Sequence, residues 1–240
     1  MKKKTILLII TLCIMCLPLY FKENKKTQIK LSKTNIIKKL PENSFQKKQI
    51  KEIIYNKVLI IGDSRMEFLK DRENEIKIPK NFNFITLSST KIDWFKKVAL
   101  IKLNKKLENR NEKYKYHIII NMGVNDLNDN DKVEKHANNY LELINNLVKE
   151  NKNINFYFLS VNPINDKIIN KQFNIQKRTT EKIEKFNKII LKSINNQKYK
   201  NLSYCDSYNN IDFGIPDGLH YDKDTDQKIV DFIVKDCVKY

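Results

Sequence analysis

Apolar and polar positions along the chain follow two rhythms. Mainly apolar runs, rich in β-branched and aromatic residues, occupy 58–61, 82–87, 117–121, 154–161 and 202–205, the first of them unbroken. Runs of this length without polar alternation are the pattern of strands buried on both faces, as in a parallel sheet. Between them, apolar residues return every three or four positions, which predicts amphipathic helices. Residues 92–107 carry Trp94, Phe95, Val98, Leu100, Ile101 and Leu103 in this way. Residues 133–149 carry Val133, Ala137, Tyr140, Leu141, Ile144, Leu147 and Val148, and 180–194 carry Ile183, Phe186, Ile189, Ile190 and Ile194. A shorter helix is expected over 65–71 and a last one over 223–238. Strand and helix alternate throughout, with no internal repeat. The expected fold is α/β, a three-layer α/β/α arrangement around about five parallel strands. Right-handed crossovers favour a flavodoxin-like strand order.

The amino terminus breaks this rhythm. Met1-Lys2-Lys3-Lys4 precedes an uncharged apolar run over 5–21. A charged head and an apolar stretch make either a secretory signal or a membrane anchor. The run is at the short end of what spans a bilayer, and no small-x-small cleavage site follows, since Leu17-Pro18-Leu19-Tyr20-Phe21 is bulky. Residues 1–21 therefore read as an uncleaved anchor with the amino terminus inside, the alternative being a cleaved signal and secretion. Residues 22–49, rich in Lys and Asn, read as a tether. The body, 50–240, has the length of one domain with a good core. It is expected outside the membrane.

Charge changes the picture little. The 46 Lys and Arg outnumber the 28 Asp and Glu, for a net charge of +18. Lysine is spread along the chain instead of clustering, which describes solvated faces, and no recognition motif points to nucleic acid. Attraction to an anionic cell-wall polymer is compatible with this charge. Within the body stand only Cys205 and Cys237, which read as two buried free thiols and not as a disulfide framework. No two His or Cys stand at ligand spacing there, so neither a metal nor a cofactor is expected. Asp126-x-Asn128-x-Asn130 resembles the start of a calcium loop, but Asp131 occupies its glycine position and Ala137 that of its bidentate Glu.

Candidate chemistry gathers at three places. The first apolar run enters Gly62-Asp63-Ser64 and then a helix. Ser64 thus falls at the carboxyl end of a strand and the amino end of a helix, where open α/β sheets hold their ligands and where backbone N–H groups lie free. Simple helix capping by Asp63 or Ser64 is the plainer alternative. The third run ends in Asn121-Met122-Gly123-Val124-Asn125-Asp126, and in the expected order it neighbours the first. Near the end, Asp217-Gly218-Leu219-His220 precedes the last helix. A nucleophilic serine needs a base, and the base needs a partner to fix its tautomer. Of the three histidines, His117 falls in a strand and His136 on a helix; only His220 combines a loop position with an acid three residues away.

Gly62-Asp63-Ser64, Gly123-x-Asn125-Asp126 and Asp217-x-x-His220 resemble three of the four signature blocks of the SGNH/GDSL hydrolases, in order, across about 55–238. The resemblance implies a serine esterase acting through an acyl-enzyme. Ser64 would be the nucleophile, His220 the general base and then acid, and Asp217 the orienting acid. The oxyanion hole would be formed by the Ser64 N–H, the Asn125 amide and an N–H from the remaining block. The family usually has a glycine in that block; here it reads Leu87-Ser88-Ser89-Thr90, and Ser89 takes the glycine's place. Arg65, where many members have an apolar residue, is expected to face solvent. With an outward-facing domain, the expected substrates are acyl, foremost acetyl, esters of cell-surface carbohydrate. An acyltransferase on wall sugars and a non-catalytic surface module are the alternatives.

Overall fold

The computed structural model describes residues 55–173, 177–197 and 199–239. The expected anchor (1–21), tether (22–49) and start of the body at Ile50 lie outside the described residues. Among the described residues no helix is long and apolar enough to cross a membrane.

In chain order the elements are β1 (Tyr55–Gly62), α1 (Ser64–Asp71), β2 (Phe82–Thr86), α2 (Ile92–Trp94), α3 (Leu100–Glu108), β3 (Tyr114–Asn121), α4 (Val133–Glu150), β4 (Asn155–Leu159), α5 (Asp166–Phe173), α6 (Thr180–Asn196), β5 (Leu202–Cys205) and α7 (Lys223–Phe232). All five strands are parallel, in the order β2-β1-β3-β4-β5. This is the expected flavodoxin-like sheet.

Alternation along β1 explains the three layers. Leu59 and Ile61 point into one apolar cluster with Leu103 of α3, Tyr140 of α4 and Phe186 of α6. Val58 and Ile60 point into a second, with Met66 and Leu69 of α1 and Ile229 and Val230 of α7. Ile118 and Ile120 against Ile119 repeat the division on β3. A central strand with both faces buried favours apolar residues on both, which is why Val58-Leu59-Ile60-Ile61 is a continuous apolar run. Each fully buried Leu or Ile contributes roughly 1.5–3 kcal/mol.

Three local features depart from the expected elements. The helix predicted over 92–107 slips into a π turn at Phe95–Ala99 before continuing as α3, and α7 ends in another at Ile233–Val238. Helix α5 was not expected; its start is marked by Asn165, whose side chain accepts from the Ile168 N–H at 3.3 Å. Cys205 and Cys237, expected as free thiols, form a disulfide. β5 and the turn after α7 bring their Cα atoms to 5.7 Å, within the range a disulfide bridges.

His117 shows how a polar residue survives in the sheet. Its Nε2 pairs with Asn56 Oδ1 at 3.0 Å and its Nδ1 with the Tyr157 hydroxyl at 3.1 Å, an arrangement suited to the neutral ring. Burial, with Lys115 adding to it, lowers its pKa to about 4. An unfolded chain takes up this proton near pH 6.5. Between about pH 6.5 and 4 the unfolded state therefore binds more protons, and stability falls with falling pH by up to roughly 3 kcal/mol. Urea unfolding across this window is expected to show a flatter acid slope for His117→Gln than for the parent. Equal slopes would remove His117 as the source.

Candidate active site

Register brings the three loops together. Gly62 pairs with Thr86 on one side and with Asn121 on the other. The segments after β1, β2 and β3 thus leave the sheet side by side, at the switch point where an open sheet of this order forms its crevice. A Cβ on Gly62 would fall 2.2 Å from Met66 Cγ, so only glycine lets α1 start this close to β1.

Asp63 caps α1, its Oδ1 accepting from the Arg65 N–H at 3.1 Å. Ser64 is then the first residue of the helix, with its N–H unclaimed by any helical carbonyl. Its Oγ lies 3.0 Å from His220 Nε2. On the far side of the ring, His220 Nδ1 meets Asp217 Oδ2 at 2.6 Å. Asp217 is itself fixed: its Oδ1 accepts from the N–H groups of Leu219 at 2.8 Å and His220 at 2.6 Å. Partial burial pushes the Asp217 pKa up, but these bonds outweigh it and hold the carboxyl below its ordinary value. Ser64, His220 and Asp217 therefore form one hydrogen-bonded chain, with an ionised carboxylate behind the imidazole. Phe68 of α1 packs on the His220 ring with centroids 4.4 Å apart.

The turn after β2 carries Ser89 at φ 60, the left-handed region that glycine favours. This is the residue expected to take the place of the family's glycine, and its backbone has the conformation a glycine would adopt. Thr90 Oγ1 donates to the Leu87 carbonyl at 2.8 Å and Ser88 Oγ donates to Glu67, closing the turn against α1. Asn125, after β3, donates from Nδ2 to the Thr90 carbonyl at 3.0 Å. Its neighbour Asp126 is buried and ties loops together: Oδ1 accepts from the Ile92 N–H at 3.1 Å and Oδ2 from the Tyr140 hydroxyl at 2.8 Å. Burial raises the Asp126 pKa despite those donors. Gly123, at φ 124, makes the turn that delivers both. Ser64, Ser89, Asn125 and His220 share a cleft of about 410 Å³.

Two arginines complete the site, and the sequence reading missed both roles. Arg65 does not face solvent; it is 1% exposed. The loops after β4 and before α7 close over it, and it donates to the carbonyls of Asn162 at 2.8 Å, Pro163 at 3.2 Å and Leu219 at 3.2 Å. Its guanidinium also lies 5.0 Å from the Tyr221 ring centroid. The residue after Ser64 thus fastens the segment that carries His220. Arg65→Met is expected to destabilise the fold by about 3 kcal/mol or more, since buried carbonyls lose their donors, and to lower turnover per folded molecule. Urea unfolding with a linked rate assay checks this; a loss under about 1 kcal/mol would mean the three bonds are dispensable. The second arginine, Arg178, precedes α6 and donates from Nη2 to Asn125 Oδ1 at 3.1 Å.

Outside the cleft, Asp129, Asp131 and His136 come together. His136 Nε2 lies 2.8 Å from Asp129 Oδ1, Lys135 pairs with Asp131 at 2.6 Å, and Lys91 approaches Asp129 at 3.8 Å. These contacts already balance the two carboxylates.

No family profile and no curated protein matches this chain. Solved structures do resemble it. A GDSL-like lipase from Bacteroides thetaiotaomicron is 18% identical with a TM-score of 0.54, covering 73% of this chain and 83% of its own. A carbohydrate acetylesterase from Sinorhizobium meliloti is 13% identical with a TM-score of 0.54, covering 75% and 98%. A member of the lipolytic G-D-S-L family from Veillonella parvula is 9% identical with a TM-score of 0.53, covering 77% and 100%. The fold is that of the SGNH/GDSL hydrolases.

Proposed function

We propose that the protein is a serine esterase that removes small acyl groups, foremost acetyl, from cell-surface carbohydrate. The observation that carries this reading is the 3.0 Å approach of His220 Nε2 to Ser64 Oγ, with Asp217 behind the ring and the cleft in front. His220 takes the Ser64 proton as Oγ attacks the ester carbonyl. The negative charge that develops on the carbonyl oxygen is met by the Ser64 N–H at the start of α1, the Asn125 amide and the Ser89 N–H. Collapse breaks the bond to the alcohol, which leaves with the proton from Nε2. Water then enters and gives a proton to His220 as its oxygen attacks the acyl carbon; collapse breaks the bond to Ser64 Oγ, which takes the proton back from Nε2 as the acid leaves. No cofactor is needed for these steps.

The structural likeness to a carbohydrate acetylesterase supports the choice of substrate. The apolar run over 5–21 and the Cys205–Cys237 disulfide suit an anchored protein whose body faces an oxidising exterior. There the net charge of +18 favours residence near anionic wall polymer. The test is a panel of short- and long-chain aryl esters and O-acetylated sugars, incubated with the protein. Release of acetate from the sugars and faster turnover of the shorter aryl esters is the expected result. Silence across the panel would overturn the esterase reading, and transfer of acetate to an added sugar in place of water would convert it to an acyltransferase.

A further inference from the structure

Arg178 is 3% exposed, yet it lines the cleft that holds Ser64, Asn125 and His220. Its Nη2 donates to Asn125 Oδ1, while Nε and Nη1 are buried without any partner among the described residues. Buried polar groups in native proteins are nearly always paired, so two orphaned nitrogens on one cation call for an explanation. Among the described residues no carboxylate forms an ion pair with it; Asp63 acts on it only through space. Among the described residues no acid lines the cleft, and a second cation there, Lys91, already leans toward Asp129.

We propose that Arg178 is a positioning residue of the oxyanion site: it fixes the Asn125 amide and holds an uncompensated positive charge beside the acyl oxygen. The inference rests on the esterase reading above and adds a residue to it. A guanidinium only donates and a backbone carbonyl only accepts. Arg178 therefore requires Oδ1 of Asn125 on its side, and the Thr90 carbonyl requires Nδ2 on the other. The amide cannot flip, and the second N–H of Nδ2 is left for the substrate. Burial lowers the Arg178 pKa to about 10, with Arg65 adding to the effect and Asp63 opposing it. The side chain remains a cation at neutral pH. Among the described residues that charge has no counter-ion in contact. The negative oxygen formed as Ser64 attacks brings an opposite charge into the cleft that Arg178 lines, so its field and the amide it fixes act more strongly on the transition state than on the ground state.

Arg178→Met and Arg178→Lys, compared with the parent on 4-nitrophenyl acetate, test the proposal. Turnover per folded molecule is expected to fall on the order of 10²-fold in Arg178→Met while KM stays within about threefold. Arg178→Lys, which keeps the charge, is expected to recover about tenfold of that loss. Turnover of Arg178→Met within about threefold of the parent, or a loss residing in KM alone, would overturn the role in the transition state. The second outcome would indicate an anion-binding subsite for the substrate instead. A lysine variant no better than methionine would remove the charge from the account. If the parent hydrolyses no ester, the esterase reading fails, and a second measurement judges Arg178 separately. Phosphonylation of Ser64 by a fluorophosphonate also develops negative charge on oxygen; it is expected to slow at least about tenfold in Arg178→Met. Equal labelling rates in parent and variant would overturn the inference on Arg178, whatever the ester panel shows.

Discussion

His220→Ala is expected to lower turnover on the order of 10⁴-fold or more, with little change in stability. The imidazole is the only base in contact with Ser64 Oγ among the described residues, at 3.0 Å. Without it the hydroxyl must lose its proton to water. The ring is partly exposed and packs at a tilt on Phe68, so its removal opens the cleft instead of emptying a core. Asp217→Ala is expected to lose less, because Phe68 still packs on the ring. A larger loss for Asp217→Ala than for His220→Ala would contradict this division of roles. Steady-state kinetics at saturating 4-nitrophenyl acetate, with melting temperatures on the same preparations, checks both.

Asn125→Ala carries the next largest effect and tests fold and chemistry together. Its amide reaches the cleft only because β3 pairs with β1 in the register Gly62 to Asn121. Turnover is expected to fall about 10²–10³-fold, or about 2.7–4 kcal/mol, with KM little changed, because the charge it meets exists only in the transition state. Stability is expected to fall as well. The substitution strips Arg178 of its hydrogen-bond acceptor and the Thr90 carbonyl of its donor, and unpaired buried groups cost about 1–3 kcal/mol. The rate per folded molecule therefore separates the two roles. Unimpaired turnover in a destabilised variant would leave Asn125 as a loop-shaping residue and no more.

How much of this was legible in the sequence follows from which interactions are local. The run Val58-Leu59-Ile60-Ile61 reads as a strand covered on both faces, and the strand–helix alternation that follows it argues for a parallel sheet, whose order right-handed crossovers then suggest. His220 was legible because it combines a loop position with an acid three residues away, and an Asx turn of that spacing needs no distant partner. Arg65 was not legible. A cation at a helix start ordinarily meets water, and this one is buried only because carbonyls 97, 98 and 154 residues away close over it. Arg178 shares that reason: in Lys177-Arg178-Thr179-Thr180 the visible signal is the Thr179 cap of α6, which its side chain performs at 3.3 Å. The partner that gives Arg178 meaning lies 53 residues earlier. The disulfide joins residues 32 apart, and spacing alone does not choose between a bond and two thiols. Ser89 sits between these cases. It was the candidate for the family's glycine position, while the left-handed backbone that suits such a position belongs to the folded turn.

The central claim is that Ser64 is a nucleophile activated by His220. Its most direct test is reaction of the intact protein with a fluorophosphonate, followed by peptide mass spectrometry. The account predicts a single adduct, on Ser64, absent from Ser64→Ala and formed far more slowly in His220→Ala. An adduct on Ser88, Ser89 or any other residue, or equal labelling of parent and His220→Ala, would contradict it.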